Sequence, residues 1–420
     1  MKKQILVIVI SSLVTVVFAQ QKYSPGSSFK TYKGLVMAGY QGWFNAPSDG
    51  AQMGWNHYAT KGKFEPGYCK VDYWPDVREY QKTYETAFKN ADGEPAYLFS
   101  SYDEQTIDLH FKWMKQYGVD GVFIQRSVTA IKNPENLRHD DHVLRNAIDA
   151  SRRYHRAIAI MYDFSGLNET NNDWQAIIDD WKHLVDHMKI ASRGKRQTYL
   201  YHHERPLVAL WGVGFPDRTN SLKIIEKIID FLKNDPAYGG CSILLGVPAY
   251  WRDFGKDTEK DPYLHTLLLK ADIIRPWLVG RFNEATYPAF RERITKDIEW
   301  CRQNKLDYVP VVFPGFSWHN MHPESVHSQI PRNRGHFYWQ QLVGAIEAGS
   351  EMIYIAMFDE MDEGTSIFKT TNSPPVGPSK FESFESGIPG DYYLYLTGIA
   401  GKMLRKEIPL ENNTPLPPVH

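Results

Sequence analysis

The sequence predicts a (β/α)8 barrel with an extended loop insertion after the first strand. Three observations support this: eight short apolar runs, helix-like segments between them, and no Gly-rich phosphate loop after an early run. The runs are continuous in apolar residues, as expected for parallel strands covered on both faces. The 420 residues suit one barrel with large loops. An open doubly wound sheet is the alternative, and it usually carries a GxGxxG or GxxxxGK[ST] motif.

The elements follow one another in strict alternation. The predicted strands cover residues 34–40, 120–125, 157–163, 206–212, 242–247, 272–277, 308–313 and 352–358. The predicted helices cover about 103–118, 140–155, 173–190, 220–234, 262–270, 286–304, 334–348 and 391–405. Residues 43–104 are too many for a βα loop. They form either an ordered cover over the barrel mouth or a surface decoration.

The two chain ends are expected to lie outside the barrel. Residues 1–19 have a basic start, an apolar stretch and small residues before a cut after Ala19, which is the pattern of a signal peptide. No later run approaches the roughly 20 apolar residues of a membrane span. We therefore expect export to the periplasm or the outside, without a stable membrane anchor. Residues 20–408 form one catalytic domain, and the Pro-rich tail at 409–420 is expected to be frayed.

Charge and cysteine content exclude some classes of function. Without the two lysines of the signal peptide, 46 basic side chains face 49 acidic ones, which disfavours nucleic acid as a partner. Aromatic residues make up 14% of the chain, and their apolar faces and polar tips suit sugar rings. The three cysteines allow at most one disulfide and predict no particular pair. The oligomeric state is left open.

Aromatic and polar side chains follow nearly every predicted strand. In a (β/α)8 barrel these strand ends meet at the face that carries the chemistry. The sequence therefore predicts a sugar-sized pocket there. Its candidate substrate-binding residues, in chain order, are Tyr40, Trp43, Gln125, Asp163, Trp211, Tyr250, Trp251, Arg252, Trp277, Trp318 and His319.

Four carboxylates follow the eighth predicted strand, at Asp359, Glu360, Asp362 and Glu363. Two adjacent carboxyl groups push their pKa values apart, and glycoside hydrolysis needs one protonated and one ionised acid. We predict Glu360 and Glu363 as the catalytic pair. A solvated acidic loop and a calcium site are the alternatives, although the spacing is not that of an EF-hand. No metal or cofactor is predicted, and the "HHE" at 202–204 is expected to be structural because it precedes a strand.

The segments "GYQGWF", "GVPAYWR", "FPGFSWHN" and "AGSEMIYIAMFDEMDEGT" resemble bacterial proteins grouped with glycoside hydrolase families 71 and 99, some of them named as a xylosidase/arabinosidase group. The resemblance covers nearly the whole mature chain. Within it, residues 360–365 fit the E-x-x-E-G-T motif of family 99, the endo-acting α-mannosidases and α-mannanases. Family 71, the α-1,3-glucanases, is the other relative. Family 99 usually has Trp-Asn before the motif and an aromatic residue inside it, where this chain has Phe358, Asp359 and Met361.

The resemblance implies a function and two residue roles. It implies an exported hydrolase of α-glycosidic bonds in a polysaccharide or glycan. By this resemblance Glu360 is the base that takes the proton from the sugar's own 2-hydroxyl, and Glu363 is the acid/base at the leaving oxygen. Ordinary inversion by the same acids is an alternative chemistry. A barrel that binds carbohydrate without cleaving it is the alternative function.

Overall fold

The computed structural model describes residues 22–23, 26–168, 172–191, 197–218 and 221–418. The predicted signal peptide at 1–19 lies outside the described residues. Among them, no helix is long and apolar enough to cross a membrane.

The chain alternates strands and helices almost throughout. The strands are β1 (Val36–Tyr40), β2 (Tyr84–Lys89), β3 (Pro95–Leu98), β4 (Gly121–Ser127), β5 (Ala157–Asp163), β6 (Tyr201–His202), β7 (Arg205–Trp211), β8 (Ser242–Val247), β9 (Ile273–Pro276), β10 (Asp307–Tyr308), β11 (Val311–Val312) and β12 (Ile353–Ile355). The helices are α1 (Glu104–Tyr117), α2 (Val128–Ile131), α3 (Pro134–Tyr154), α4 (Asp173–Asp186), α5 (Leu222–Asn234), α6 (Tyr263–Leu268), α7 (Tyr287–Gln303), α8 (His336–Glu347) and α9 (Tyr392–Leu404).

Eight parallel strand positions close into a barrel, which confirms the predicted fold. The pairing order is β10-β9-β8-β7-β5-β4-β1-β12-β11. The segments β10 and β11 belong to one run that is interrupted at Val309 and Pro310. The first pairs with β9 and the second with β12, so this divided seventh strand closes the ring. Proline has no N–H to donate to a ladder, which accounts for the interruption.

Local sequence explains where the helices begin and end. The Asn133 side chain accepts hydrogen bonds from the backbone N–H groups of Glu135 and Asn136, and Pro134 opens α3, as expected at a helix start. Helix α1 ends at Gly118, which has a left-handed backbone with φ 81°. All seven residues of β5 are buried, as expected for a strand that helices cover outside and side chains cover inside.

The insertion after β1 is ordered and packs over the barrel mouth. It carries the β2–β3 hairpin and a cluster of aromatic rings that includes Phe44, Tyr58 and Phe64. The backbone N–H of Asp72 donates to the carbonyl of Met361 at 3.2 Å. Of the two alternatives for this segment, the cover over the mouth is the one observed.

The carboxy-terminal tail differs from expectation over its described part, whereas the state of the cysteines is compatible with the prediction of at most one disulfide. The tail is not frayed over its described part, because Trp339 Nε1 donates to the Glu411 carbonyl at 3.1 Å and the Tyr392 hydroxyl donates to the Pro415 carbonyl at 2.5 Å. All three cysteines are buried free thiols.

Candidate active site

The loop after β12 is tied to the end of β1 by Asp359. Its two carboxylate oxygens accept the backbone N–H groups of Gln41 and Gly42, each at 2.8 Å. Burial raises the pKa of Asp359 to about 7, although these two N–H groups favour its ionised form. This clamp fixes the backbone from which the next residue, Glu360, projects.

Glu360 lies 5% exposed and receives two side-chain hydrogen bonds. Gln41 Nε2 donates to its Oε1 at 2.7 Å, and the Thr365 hydroxyl donates to its Oε2 at 3.0 Å. The loop turns back on itself here, because the backbone N–H groups of Thr365 and Ser366 donate to the Glu360 carbonyl. The threonine that ends the E-x-x-E-G-T segment therefore holds the first glutamate of the same segment.

Glu363 is positioned through its backbone. Its carbonyl accepts the N–H of Ser317 at 3.1 Å, and Arg332 donates to the neighbouring Gly364 carbonyl at 2.9 Å. Gly364 has φ 63°, and a Cβ there would lie 2.8 Å from Ser317 backbone atoms, so this position requires glycine. Among the described residues, no side chain donates a hydrogen bond to the Glu363 carboxyl.

The two glutamates share an environment that disfavours two negative charges. Burial, then the charges of Glu363 and Asp362, raise the pKa of Glu360 well above its ordinary value. Burial, then Asp362, raise the pKa of Glu363 to about 7. Near neutral pH the pair therefore holds a proton, which is the state that general acid–base catalysis needs.

Asp362 is not a solvated surface acid. It is 4% exposed, and its Oδ2 lies 3.2 Å from Nδ1 of His57 in the insertion. The His57 ring stacks on Trp43, with ring centroids 3.8 Å apart and planes 4° from parallel. Because Asp359 and Glu360 are buried as well, the solvated-loop alternative for this acidic segment is wrong.

Three adjoining cavities form a groove across the mouth. We call them the central cavity, the Asn136 cavity and the Trp318 cavity, with volumes of about 230, 350 and 420 Å³. The central cavity shares Trp43 and Asp163 with the Asn136 cavity, and Trp277 and Glu363 with the Trp318 cavity. The central cavity is lined by Gln41, Trp43, Gln125, Met161, Asp163, Ser165, Trp211, Trp277, Glu360 and Glu363.

Several side chains that line the groove carry hydrogen-bonding atoms without a partner among the described residues. These are Nε1 of Trp43, Trp211 and Trp318, and Oε1 of Gln41, all buried. A buried polar atom without a partner is costly. Sugars offer both hydroxyl groups for such atoms and apolar faces for indole rings. The lining therefore suits a carbohydrate.

The structure gathers seven of the predicted residues at the central cavity and one beside it. The seven are Trp43, Gln125, Asp163, Trp211, Trp277, Glu360 and Glu363, and Trp318 lines the adjoining cavity. Gln125 Nε2 donates to Asp163 Oδ2 at 3.0 Å, which links two neighbouring strand ends.

Five predicted residues do not line this groove. Tyr40 points to the helix layer, where its hydroxyl lies 2.8 Å from His110 Nδ1. Trp251 is fully buried beneath the surface against Trp300. The remaining three are engaged elsewhere: Arg252 pairs with Asp297, Tyr250 packs on Phe290 and His319 Nδ1 donates to the Ser325 carbonyl.

Sequence reasoning missed Gln41, Met161, Ser165 and His57 as site residues. For Gln41 and Met161 the available signal was strand alternation, because consecutive side chains point to opposite faces. Tyr40 pointing outward requires Gln41 to point inward. His57 carried no such signal, because it belongs to an irregular insertion whose path depends on tertiary packing.

Comparisons with known proteins place the chain among sugar-cleaving enzymes. No family model matches it. The glycoprotein endo-alpha-1,2-mannosidases of Rattus norvegicus and Mus musculus are each 22% identical to it over 341 residues, which is 80% of this chain and 68% of each relative.

A solved structure shows the same fold. The GH99 endo-alpha-mannosidase from Bacteroides thetaiotaomicron superposes with a TM-score of 0.62 at 16% identity, covering 90% of this chain and 99% of that one. The structure of that enzyme with bis-tris-propane gives a TM-score of 0.61.

Proposed function

We propose that this chain, which is similar to the family 99 endo-α-mannosidases, is a glycoside hydrolase that cleaves α-mannosidic bonds within a glycan or polysaccharide, with Glu360 and Glu363 as its catalytic groups. The resemblance predicted from the sequence motifs and the predicted enzyme class are confirmed by the relatives. The substrate proposal draws on the activity that the relatives are named for.

The observation that carries the residue assignment is the pair formed by the buried Glu360 and the partly buried Glu363 at the edge of the groove. Both pKa values are raised, and the two groups repel each other. Gln41 and Thr365 both donate to Glu360, which favours its ionised form relative to a glutamate without donors. In this proposal Glu360 serves as the base and Glu363 as the acid, which are the roles that the resemblance to family 99 implies, and the two donors to Glu360 support that order.

The position of Glu363 indicates where the bond breaks. A general acid must reach the oxygen between the sugar that reacts and the group that leaves. Glu363 lines both the central and the Trp318 cavity, whereas Glu360 lines only the central one. The reacting sugar then occupies the central cavity, and the leaving group occupies the Trp318 cavity.

In this arrangement Glu360 lies beside the reacting sugar alone. It can take a proton from that sugar's 2-hydroxyl, which then attacks the anomeric carbon while Glu363 protonates the leaving oxygen. Glu363 afterwards takes a proton from the water that attacks the anomeric carbon, the bond from that carbon to the 2-oxygen breaks, and Glu360 returns its proton to the 2-oxygen. Direct attack by water, with inversion, is the competing route, and the product anomer separates the two.

The groove continues beyond the reacting sugar on both sides. A closed pocket would admit only a chain end, whereas cavities on both flanks of the central one accommodate further sugars. Internal cleavage is therefore the proposed mode of action.

A product screen tests the proposal. The protein is incubated with α-mannans, α-glucans and pentose-rich polymers, and products are followed by mass and by NMR of the anomeric carbon. Internal cleavage of α-mannan with retained configuration is expected. If products are released only from one of the other polymers, the proposal of an α-mannan substrate is wrong. If the product has inverted configuration, the route through the 2-hydroxyl is wrong.

Two variants test the residue assignment. Glu363→Gln and Glu360→Gln each remove one proton-transfer group without changing size, and a loss of activity by about 10²–10⁴-fold is expected. Retained binding of the oligosaccharide product shows that the groove is intact. Near-full turnover in both variants would show that Glu360 and Glu363 are not the catalytic groups.

Export remains a proposal that follows from the sequence of residues 1–19. Amino-terminal sequencing of protein recovered from the periplasm or medium of an expressing bacterium is expected to begin at Gln20. Recovery in the cytoplasm with Met1 retained would contradict it.

A further inference from the structure

A cluster of metal-type ligands lies at the face of the barrel opposite the groove. Among the described residues, His202, His203 and Asp307 place one ligand atom each within 4.8 Å of one another. His202 and His203 stand just before β7, and Asp307 begins β10, so all three occupy the N-terminal ends of the strands. We propose that they bind a divalent transition-metal ion of the Zn²⁺ type.

One of the two distances from the Asp307 carboxylate already matches a tetrahedral ion, and the other is a hydrogen bond that must lengthen by a few tenths of an ångström. Asp307 Oδ2 lies 3.0 Å from His202 Nε2 and 3.5 Å from His203 Nε2. With bonds of about 2.0–2.2 Å, adjacent ligands of a tetrahedral zinc ion lie roughly 3.3–3.6 Å apart. Two imidazole nitrogens and one carboxylate oxygen suit Zn²⁺ and its neighbours better than Mg²⁺ or Ca²⁺, which prefer oxygen alone.

The backbone conformation brings the two histidines together. Consecutive residues of a strand point to opposite faces, yet these rings lie with centroids 4.1 Å apart. The cause is a two-residue hairpin turn in which His203 and Glu204 have φ values of 48° and 62°. Such turns usually hold Asn-Gly. Here the left-handed residue turns the second ring back towards Asp307.

Groups around the three ligands can orient them. Metal-bound histidines usually donate their other N–H to an acceptor. His203 Nδ1 lies 3.9 Å from Asp272 Oδ1. His202 Nδ1 lies 3.4 Å from both the Thr31 hydroxyl and the Tyr32 backbone N–H. In the structure the Tyr32 N–H donates to Nδ1, so the ring hydrogen lies on Nε2 and points to Asp307. Metal binding through Nε2 requires the other tautomer, in which Nδ1 donates to the Thr31 hydroxyl and the Tyr32 N–H loses this acceptor.

A lysine already pairs with the carboxylate, and the structure offers it a second partner. Lys33 Nζ lies 2.9 Å from Asp307 Oδ1 and also 2.9 Å from Glu351 Oε2. It can keep the glutamate when an ion takes Asp307 Oδ2, the oxygen that faces the histidines. The His203 side chain is 49% exposed, which gives the ion an entry path and leaves a fourth position for water.

Direct binding to untagged protein tests the site. Isothermal titration with Zn²⁺ and the visible spectrum with Co²⁺ are measured for the wild type, for His203→Gln and for Asp307→Asn. A matched control is His336→Gln, since His336 is an exposed histidine at the start of α8. Circular dichroism checks that each variant is folded.

One ion per chain and a tetrahedral Co²⁺ spectrum are expected for the wild type and for His336→Gln. Affinity at least tenfold weaker is expected for His203→Gln and Asp307→Asn, together with loss of any rise in Tm on adding Zn²⁺. Absence of binding to the wild type overturns the proposal, as does binding that both variants retain. Because the cluster lies across the barrel from the glutamates, this outcome is independent of the proposed hydrolase activity.

Discussion

Gln41 Nε2 donates a 2.7 Å hydrogen bond to Glu360 Oε1, while the backbone N–H of the same glutamine is bound by Asp359. One residue at the end of β1 thus fixes both the backbone clamp and the first glutamate of the pair. A donor aimed at a carboxylate favours its ionised form. Gln41 is therefore a positioning residue for the proposed base.

Replacing Gln41 by methionine keeps the length of the side chain and removes its N–H donor. The pKa of Glu360 is expected to rise further, so the acid limb of kcat/KM moves to higher pH. A hydrogen bond to a charged group contributes about 1.5–3 kcal/mol, which corresponds to roughly a 10- to 100-fold loss of activity at low pH. The pH profile on the cleaved substrate is the measurement.

The matched control is Gln125→Met, because Gln125 lines the same cavity but donates to Asp163. It is expected to change KM and to leave the acid limb in place. An unmoved acid limb in Gln41→Met would show that this hydrogen bond does not govern the base.

His57→Phe is expected to lower stability because it removes the partner of a buried carboxylate. Phenylalanine can keep the stack on Trp43 but offers Asp362 no nitrogen. A buried acceptor left unsatisfied costs about 1–3 kcal/mol, so urea unfolding is expected to show a loss of that size.

The double variant His57→Phe with Asp362→Asn separates the pair from the rest of the site. If the two side chains act through each other, the double variant loses less stability than the two single changes added together. Strict additivity would show that the 3.2 Å contact contributes nothing measurable.

Much of the barrel could be predicted because each strand corresponds to a short, continuous apolar run in the sequence. Seven predicted strands lie within about two residues of the observed ones, and the eighth, predicted at 352–358, is observed as Ile353–Ile355. The chain leaves regular structure at Ala356, where the loop that carries the acids begins. Strand propensity does not indicate that the strand ends there, because Met357 and Phe358 continue the apolar run.

The residues of the site were harder to predict than the fold, because the sequence after a strand does not determine which side chain faces the barrel mouth. Trp43 and Trp211 were found because an aromatic after a strand is conspicuous. Trp251 was equally conspicuous, yet it follows β8 in a short 3-10 turn that points it into the core beside Trp300. The direction of the Trp251 side chain depends on how α6 and α7 pack around it, and the local sequence does not encode that packing.

Two tryptophans that look alike in the sequence are expected to respond differently to substitution by alanine. Trp318→Ala removes a partly exposed ring from the groove, so KM is expected to rise by about fivefold, equivalent to roughly 1 kcal/mol of lost sugar–aromatic contact. Its stability is expected to change little.

Trp251→Ala is the counterpart, because this side chain is fully buried. Replacing a core tryptophan costs about 3–5 kcal/mol, and the KM of the folded fraction is expected to stay the same. Urea unfolding gives the free energy of unfolding of each variant, and initial rates give the KM of each. A raised KM for Trp251→Ala without loss of stability would return that residue to the binding site.

Stability is expected to fall as the pH rises from about 5 to 8. The pKa values of Asp359 and Glu363 are about 7 in the folded chain, whereas unfolded carboxyl groups titrate near 4. Between these values the folded chain binds more protons than the unfolded chain. The stabilisation is therefore complete below pH 4 and is lost as the pH rises through 7.

Asp359→Asn isolates the contribution of one of these groups. Asparagine does not titrate, so the decrease in the free energy of unfolding between pH 5 and 8 is expected to be smaller than in the wild type by on the order of a few kcal/mol. The variant also loses one acceptor for the Gln41 and Gly42 N–H groups, which lowers its stability at every pH. The slope of stability against pH, measured by urea unfolding, is therefore the readout, and an unchanged slope would mean that Asp359 is ionised across this range.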